Sequence, residues 1–151
     1  MFLERTYLFQ DMSKEFMEEI SRSLVEQSYE KGSQPFHHGE HAHYLFILQD
    51  GRVRLSVGDH GVVTHLVSES GDALDWSSLV GRDCYMTTAE CLTPTKVIKV
   101  GRERLEEIFQ KDPASGYILF RHLSRLISQR LVDTYRMIPS AHGGKAPVAI
   151  P

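Results

Sequence analysis

The stretch from Tyr29 to Leu55, YEKGSQPFHHGEHAHYLFILQDGRVRL, decides the architecture of this chain. Glycines at 32, 39 and 51 separate short apolar runs, and HYLFIL and RVRLSV have the strand-forming composition and turn-forming borders of β-strands. Further on, VVTHLV and TKVIKV repeat the pattern, with breaks at Asp59-His60-Gly61, Gly71-Asp72, Gly81 and Thr93-Pro94. Strand signals at intervals of about ten residues predict an antiparallel barrel or sandwich between Ser28 and Val100.

The flanks read as helical. Ser13 is placed to cap a helix running to about Glu26, with Glu15, Glu18 and Glu19 in its early turns, where the helix dipole favours acids. Met12 and Met17 stand at the two positions of a hydrophobic staple, and Phe16, Met17, Ile20 and Leu24 make one apolar stripe. Beyond the strands, Arg102 to Lys111 carries Leu105, Ile108 and Phe109 at helical spacing. Asp112-Pro113 then opens a long helix to about Met137. Along it Phe120, Leu123, Ile127, Leu131, Tyr135 and Ile138 form an apolar seam suited to a second copy of the chain, widened by Leu119 and Leu126. Arg121, Arg125, Arg130 and Arg136 read as its solvated face.

With 151 residues the chain is long enough for one self-sufficient core, expected over residues 1–138, followed by a glycine- and proline-rich flexible tail, 139–151. A formal net charge of −3 argues against a dedicated nucleic-acid binder. No run approaches the roughly 20 apolar residues of a membrane helix, and the start MFLERTYLFQD lacks a signal-peptide layout, so a cytoplasmic protein is expected. Cys84 and Cys91 lack metal-knuckle spacing and read as buried, reduced thiols.

The spacing of Gly32, Phe36, Gly39-Glu40, Ala42, Tyr44-Leu45, Ile47, Gly51 and Val53 resembles the opening strands of the cyclic-nucleotide-binding domains of the Crp/Fnr (catabolite activator protein) type. The resemblance covers about residues 7 to 138. It implies a mainly β domain, an antiparallel β-roll of cupin-like jelly-roll kind, flanked by an amino-terminal helix and a long carboxy-terminal helix. It also implies a sensor, in which a ligand in the roll alters the packing of the last helix.

Members that bind cyclic nucleotide have a phosphate-binding cassette close to G-D/E-x-x-G-E-x-x-L, followed several residues later by R-x-A. Its glutamate takes the ribose hydroxyl, and its arginine, with backbone amides, takes the phosphate. The corresponding run here is Gly71-Asp72-Ala73-Leu74-Asp75-Trp76-Ser77-Ser78-Leu79-Val80. Asp75 replaces the glycine and Trp76 the glutamate, while the arginine position falls at Cys84 or Tyr85, neither of which neutralises a phosphate. Asp75 would repel an anion unless it is paired or points away. The Trp-Ser pair also resembles bacterial domains whose cassette reads close to G-W-S-A-L-V, a group that supplies no ligand.

Ordinary cyclic AMP or cyclic GMP binding is therefore disfavoured. A pocket of Trp76, Tyr85, Ser77, Ser78, Thr87 and Thr88 would suit a planar or apolar effector instead. Three alternatives stay open. Arg82 folds back to serve a conventional cyclic nucleotide; Trp76 fills the pocket of a purely structural dimerisation module; or His41 and His43, two apart on a strand, hold the metal of a cupin-type enzyme.

Against the last, Ile47 and Leu48 stand where a cupin glutamate ligand belongs, and later ligands would have to be His60 or His65. His37, His38, His41 and His43 fall at turn or strand-start positions, where exposed loop residues are expected. No nucleophile elbow, GxxxxGK or HExxH occurs in the sequence. The expectation is a non-catalytic regulatory domain with no cofactor and no metal, paired as a homodimer. With no helix-turn-helix after the last helix, it would act on another protein rather than on DNA.

Overall fold

A computed structural model describes residues 2–58 and 62–138. A 3-10 turn, Leu3–Arg5, precedes helix α1, Lys14–Ser23. Ser13 caps α1, its hydroxyl accepting from the Phe16 N–H at 3.0 Å, and Phe16, Met17 and Ile20 are buried on one side with Met12 beside them. The helix stops at Ser23, short of the expected Glu26. Leu24 instead begins strand β1, Leu24–Tyr29, which pairs residue for residue with a later strand from Leu24↔Val100 to Tyr29↔Thr95. That ladder, available only in the folded chain, outweighs one more helical turn.

The strands β2 (Tyr44–Asp50), β3 (Val53–Val57), β4 (Val62–Val67), β5 (Thr87–Cys91) and β6 (Thr95–Gly101) follow, with a short helix α2 (Ser77–Val80) between β4 and β5. They form two antiparallel sheets, ordered β1-β6-β2 and β4-β3-β5. Helix α3 (Arg102–Lys111) and the long α4 (Pro113–Met137) close the domain, at the boundaries read from the sequence. The four strands expected lie where they were read, whereas β1 and β5 carried no clear strand signal. The turn at Asp59-His60-Gly61 and the tail 139–151 lie outside the described residues.

Strand β2 explains the unbroken apolar run HYLFIL. Successive side chains point to opposite faces, and both faces of β2 are covered. Leu45 and Ile47 join a core with Phe16, Ile20, Leu105 and Leu119 beneath the helices; Phe46 and Leu48 join a second core inside the roll with Phe36, Val53 and Tyr85. Gly51 makes the β2–β3 turn at φ +123°, and a Cβ there would lie 2.6 Å from Thr95 Oγ1 and 2.9 Å from Thr95 Cα, so glycine is required. The 30s segment is stitched across the roll by single bridges, Phe36↔Ala89 and His41↔Cys84.

Asp112 joins the two ends of the chain. Its carboxylate accepts from the Ser115 N–H at 3.0 Å and the Ser115 hydroxyl at 2.9 Å, capping α4, and from the Ser13 hydroxyl at 2.6 Å. These hydrogen bonds, the one from Ser13 foremost, hold its pKa below the ordinary 3.8.

The expected seam on α4 divides into two faces. Leu123 is 2 % exposed and belongs to the core of its own domain with Leu119, while Leu126 and Ile127 pack partly against it. Leu123 is therefore not available to a second copy. Tyr117, Phe120, Leu131, Tyr135 and Ile138 remain exposed. With Ser124 and Ile127 between them they follow the three-and-four spacing of a coiled-coil stripe, rotated away from the core face. Of the two free cysteines, Cys91 is buried as expected but Cys84 only partly so.

Candidate effector site

The loop from Gly71 to Gly81 builds one wall of the site. It is laced to the edge of β2 that β6 leaves open: Gly71 N–H donates to the Leu48 carbonyl at 2.7 Å, Leu48 N–H to Asp72 at 2.8 Å, and Leu74 N–H to Phe46 at 2.9 Å. Gly71, at φ +99°, packs so closely on Thr6 that an added Cβ would come within 3.1 Å of Thr6 Cγ2. With the loop pinned at this end, Asp75 and Trp76 are delivered to the start of α2.

Asp75 is 7 % exposed and both its oxygens are occupied by the protein itself. Oδ1 accepts from the Ser77 N–H at 2.7 Å, and Oδ2 accepts from the Thr87 hydroxyl at 2.9 Å. The carboxylate that would have repelled a phosphate is thus paired, and paired with an amide at the helix start where the resemblance implies that a cyclic phosphate sits.

Beside it opens a cavity of about 690 Å³ between the roll and α4. Of the residues expected in a pocket, Leu74, Asp75, Trp76, Ser77, Arg82 and Thr87 line it. Leu55, His65, Val80 and Met86 complete the roll side, Ile127, Arg130, Thr134 and Met137 come from α4, and Ile138 follows at its end. The volume is in the range of about 300–1,000 Å³ typical of small-molecule sites. Trp76 forms a wall of this space rather than filling it.

Arg130 faces inward, against the expectation of a solvated residue. Its guanidinium carbon stands 4.2 Å from the centre of the Trp76 ring, a cation–π contact. Burial pulls its pKa down, and the charges of Asp72 and Asp75 push it back up. His65, on the facing strand, is shifted below its ordinary 6.5, first by burial and then by Arg130, and so stays uncharged near neutrality. A smaller cavity of about 190 Å³ lies behind the Trp76–Arg130 pair and includes Asp72, whose carboxyl burial pushes up while Arg130 opposes.

Six expected residues do not reach the main cavity. Gly71 and Asp72 lie behind or beneath it as described. Ser78 is buried with its hydroxyl lacking a partner among the described residues, and Cys84 pairs through its backbone with His41. Thr88 Oγ1 accepts from the His38 N–H at 2.9 Å. Tyr85 points into the roll, stacked 4.3 Å from Phe36, and its hydroxyl donates to the Tyr44 carbonyl; burial pushes it up to about 12. Alternation along β5 explains Thr88: successive side chains point to opposite faces, and it is Thr87 that lines the cavity.

Arg130 is the main residue that sequence reasoning misplaced, and a signal existed. It is four residues after Leu126 and seven after Leu123, on the core-facing stripe of α4. A lone cation on such a stripe needs an internal partner, which here is Trp76. Leu55, His65 and Met86 gave no comparable signal, since a roll side chain reaches the cavity only once the sheets are folded.

The clustered histidines His37, His38, His41 and His43 are all exposed. His37 bridges Glu40 and Gln34, and His41 Nδ1 meets the Asp83 carbonyl at 2.7 Å. Among the described residues no three of histidine, cysteine, aspartate and glutamate converge to hold a metal ion. No helix among them is long and apolar enough to cross a membrane.

Comparison with known proteins agrees with this geometry. Residues 26–112 match the family model of the cyclic nucleotide-binding domain. A Geobacter metallireducens protein described as cyclic nucleotide-binding superimposes with a TM-score of 0.76 at 25 % identity, over 85 % of this chain and 95 % of its own. The sensor domain of the transcriptional regulator DNR from Pseudomonas aeruginosa gives 0.72 at 20 % identity, over 87 % of this chain and 94 % of its own. A cyclic nucleotide-binding domain from Methylobacillus flagellatus gives 0.76 at 19 %, over 95 % and 82 %. No curated protein sequence matches the chain. The matched segment runs from within β1 through α3, cassette included, and the chain belongs to the cyclic nucleotide-binding domain family.

Proposed function

We propose that this chain is a non-catalytic sensor domain whose cassette has exchanged its anion site for an internal carboxylate. The reading rests above all on Asp75: its oxygens already hold the Ser77 N–H and the Thr87 hydroxyl. A cyclic phosphate placed there would displace a buried, doubly hydrogen-bonded carboxylate and then lie against its charge. The family's arginine position holds Cys84 or Tyr85, and neither lines the cavity. The effector is therefore a small molecule other than cyclic AMP or cyclic GMP bound in the family's usual way, and its site is the cavity between the roll and α4.

Four residues of α4, with Ile138 just after it, line that cavity, and the exposed stripe from Tyr117 to Ile138 adjoins it, sharing Ile127 and Ile138. An occupant would thus touch the helix that presents the surface for a second copy, and a homodimer is the assembly we assign. Calorimetric titration with cyclic AMP and cyclic GMP tests the first part: no saturable heat is expected at micromolar ligand, and micromolar binding would overturn it in favour of a cyclic-nucleotide receptor using Arg82, which does line the cavity. Sedimentation of a Phe120→Asp, Leu131→Asp double variant tests the second, with monomer expected and a retained dimer overturning it.

A further inference from the structure

We infer that the cavity between the roll and α4 binds an amphipathic carboxylate, an apolar or aromatic body bearing one acid group, with Arg130 and Arg82 as the partners of that acid. The inference deepens the sensor reading and depends on it.

Among the described residues, three charged side chains line the cavity. Asp75 has both oxygens engaged within the protein. Arg130, half-buried, stacks on Trp76; its guanidinium feels the charges of Asp72 and Asp75 but makes no hydrogen bond or ion pair with any described residue, although it offers five donors. The Arg82 guanidinium, at the exposed mouth of the cavity, meets only the sulfur of Met86, at 3.4 Å, a weak acceptor. Two guanidinium groups with unused donors therefore face a space with no free carboxylate among the described lining residues; Asp72 acts on Arg130 from the smaller cavity but forms no ion pair with it. His65, uncharged near neutrality, adds no further positive charge. A guanidinium removed from bulk water calls for an acceptor, and a carboxylate matches its fork with two parallel hydrogen bonds.

The rest of the lining sets the body of the molecule. Leu55, Leu74, Trp76, Val80, Met86 and Ile127 offer apolar surface and one large aromatic plane. Two of the three lining hydroxyls are already committed: Thr87 donates to Asp75 and Thr134 to the Arg130 carbonyl at 2.8 Å, which leaves only that of Ser77. A nucleotide carries sugar hydroxyls and ring nitrogens that this lining leaves unpaired, and each such group loses its hydration without replacement. A molecule whose polarity is confined to one acid incurs no such loss.

The experiment is calorimetric titration of the full chain with decanoate, 1-naphthaleneacetate, decanol and cyclic AMP, each below its aggregation limit, repeated on Arg130→Gln and Arg82→Gln. The expected result is saturable binding of at least one carboxylate, at least tenfold tighter than decanol, and at least tenfold weaker in Arg130→Gln. Should Arg130→Gln not fold, Arg82→Gln carries the same comparison with an expected loss of at least threefold. Decanol binding as tightly as decanoate, or carboxylate binding unchanged in both variants, overturns the acid-recognition inference and leaves the sensor reading standing. Cyclic AMP binding more tightly than either acid overturns both, as does failure of every probe to bind.

Discussion

Replacing Asp75 by alanine removes the group on which the functional reading rests, and the structure fixes how large the effect must be. The carboxylate is 7 % exposed and accepts two hydrogen bonds, from Ser77 N–H and Thr87 Oγ1. An unsatisfied buried donor costs about 1–3 kcal/mol, and two are left behind. Ser77 and Thr87 both line the cavity, so water can reach them and the lower end applies, about 2 kcal/mol in total. Relief from holding a carboxylate out of bulk water works in the opposite direction but is limited by the same access to water. For a chain of this size each kcal/mol moves the melting temperature by about 2–4 °C, giving a fall of about 4–8 °C. Differential scanning calorimetry at neutral pH measures it. Asp75→Asn, which keeps one acceptor for the Ser77 amide, should lose roughly half as much. A Tm within about 1 °C of the parent for Asp75→Ala would show that the carboxylate does not hold the cassette. The claim that it replaces a ligand anion would then fall with it.

Two further outcomes follow from the helices. Leu123→Ala should cost about 2–5 kcal/mol in chemical denaturation, because it opens a cavity in the domain's own core, whereas Leu131→Ala, at a position 43 % exposed, should change monomer stability by less than about 1 kcal/mol and weaken self-association in sedimentation velocity. Equal effects of the two on stability would contradict the division of α4 into two faces. Asp112 has a folded pKa below the ordinary 3.8, so the stability it supplies is present above that value and is lost as pH falls through the folded pKa. Melting curves from pH 7 to pH 3 should therefore show the parent chain losing its advantage over Asp112→Asn only at the acid end. An advantage that disappears already between pH 7 and 5 would refute the assignment.

Most of the fold was legible because its signals are local. Glycines at fixed spacing, the Ser13 cap, the Asp112-Pro113 break and the period of α3 and α4 depend on residues within a few positions of one another, and the elements they mark begin where those signals put them, with only α1 ending early. The strand β1 was missed for the opposite reason. LVEQSY is ambiguous by itself, and only its ladder with β6, some seventy residues away, makes it extended. β5, TTAEC, has two small inward residues, Ala89 and Cys91, instead of a large apolar alternation.

The sequence alone established the family, the degeneracy of the cassette and the absence of a phosphate-binding arginine at the position where the family carries one, since these are matters of which residue stands at which place in a motif. Tertiary structure decided the rest. Whether Asp75 repels a ligand or replaces one depends on the Thr87 hydroxyl brought across from β5. Whether Trp76 fills the pocket or walls it depends on Arg130, fifty-four residues further on, which stacks against the indole and holds it beside the open space. Whether Leu123 faces a partner or its own core depends on how α4 is rotated against α1 and α3. Each of these is a contact between segments far apart in the chain, and no local pattern of residue types encodes the distance at which such segments meet.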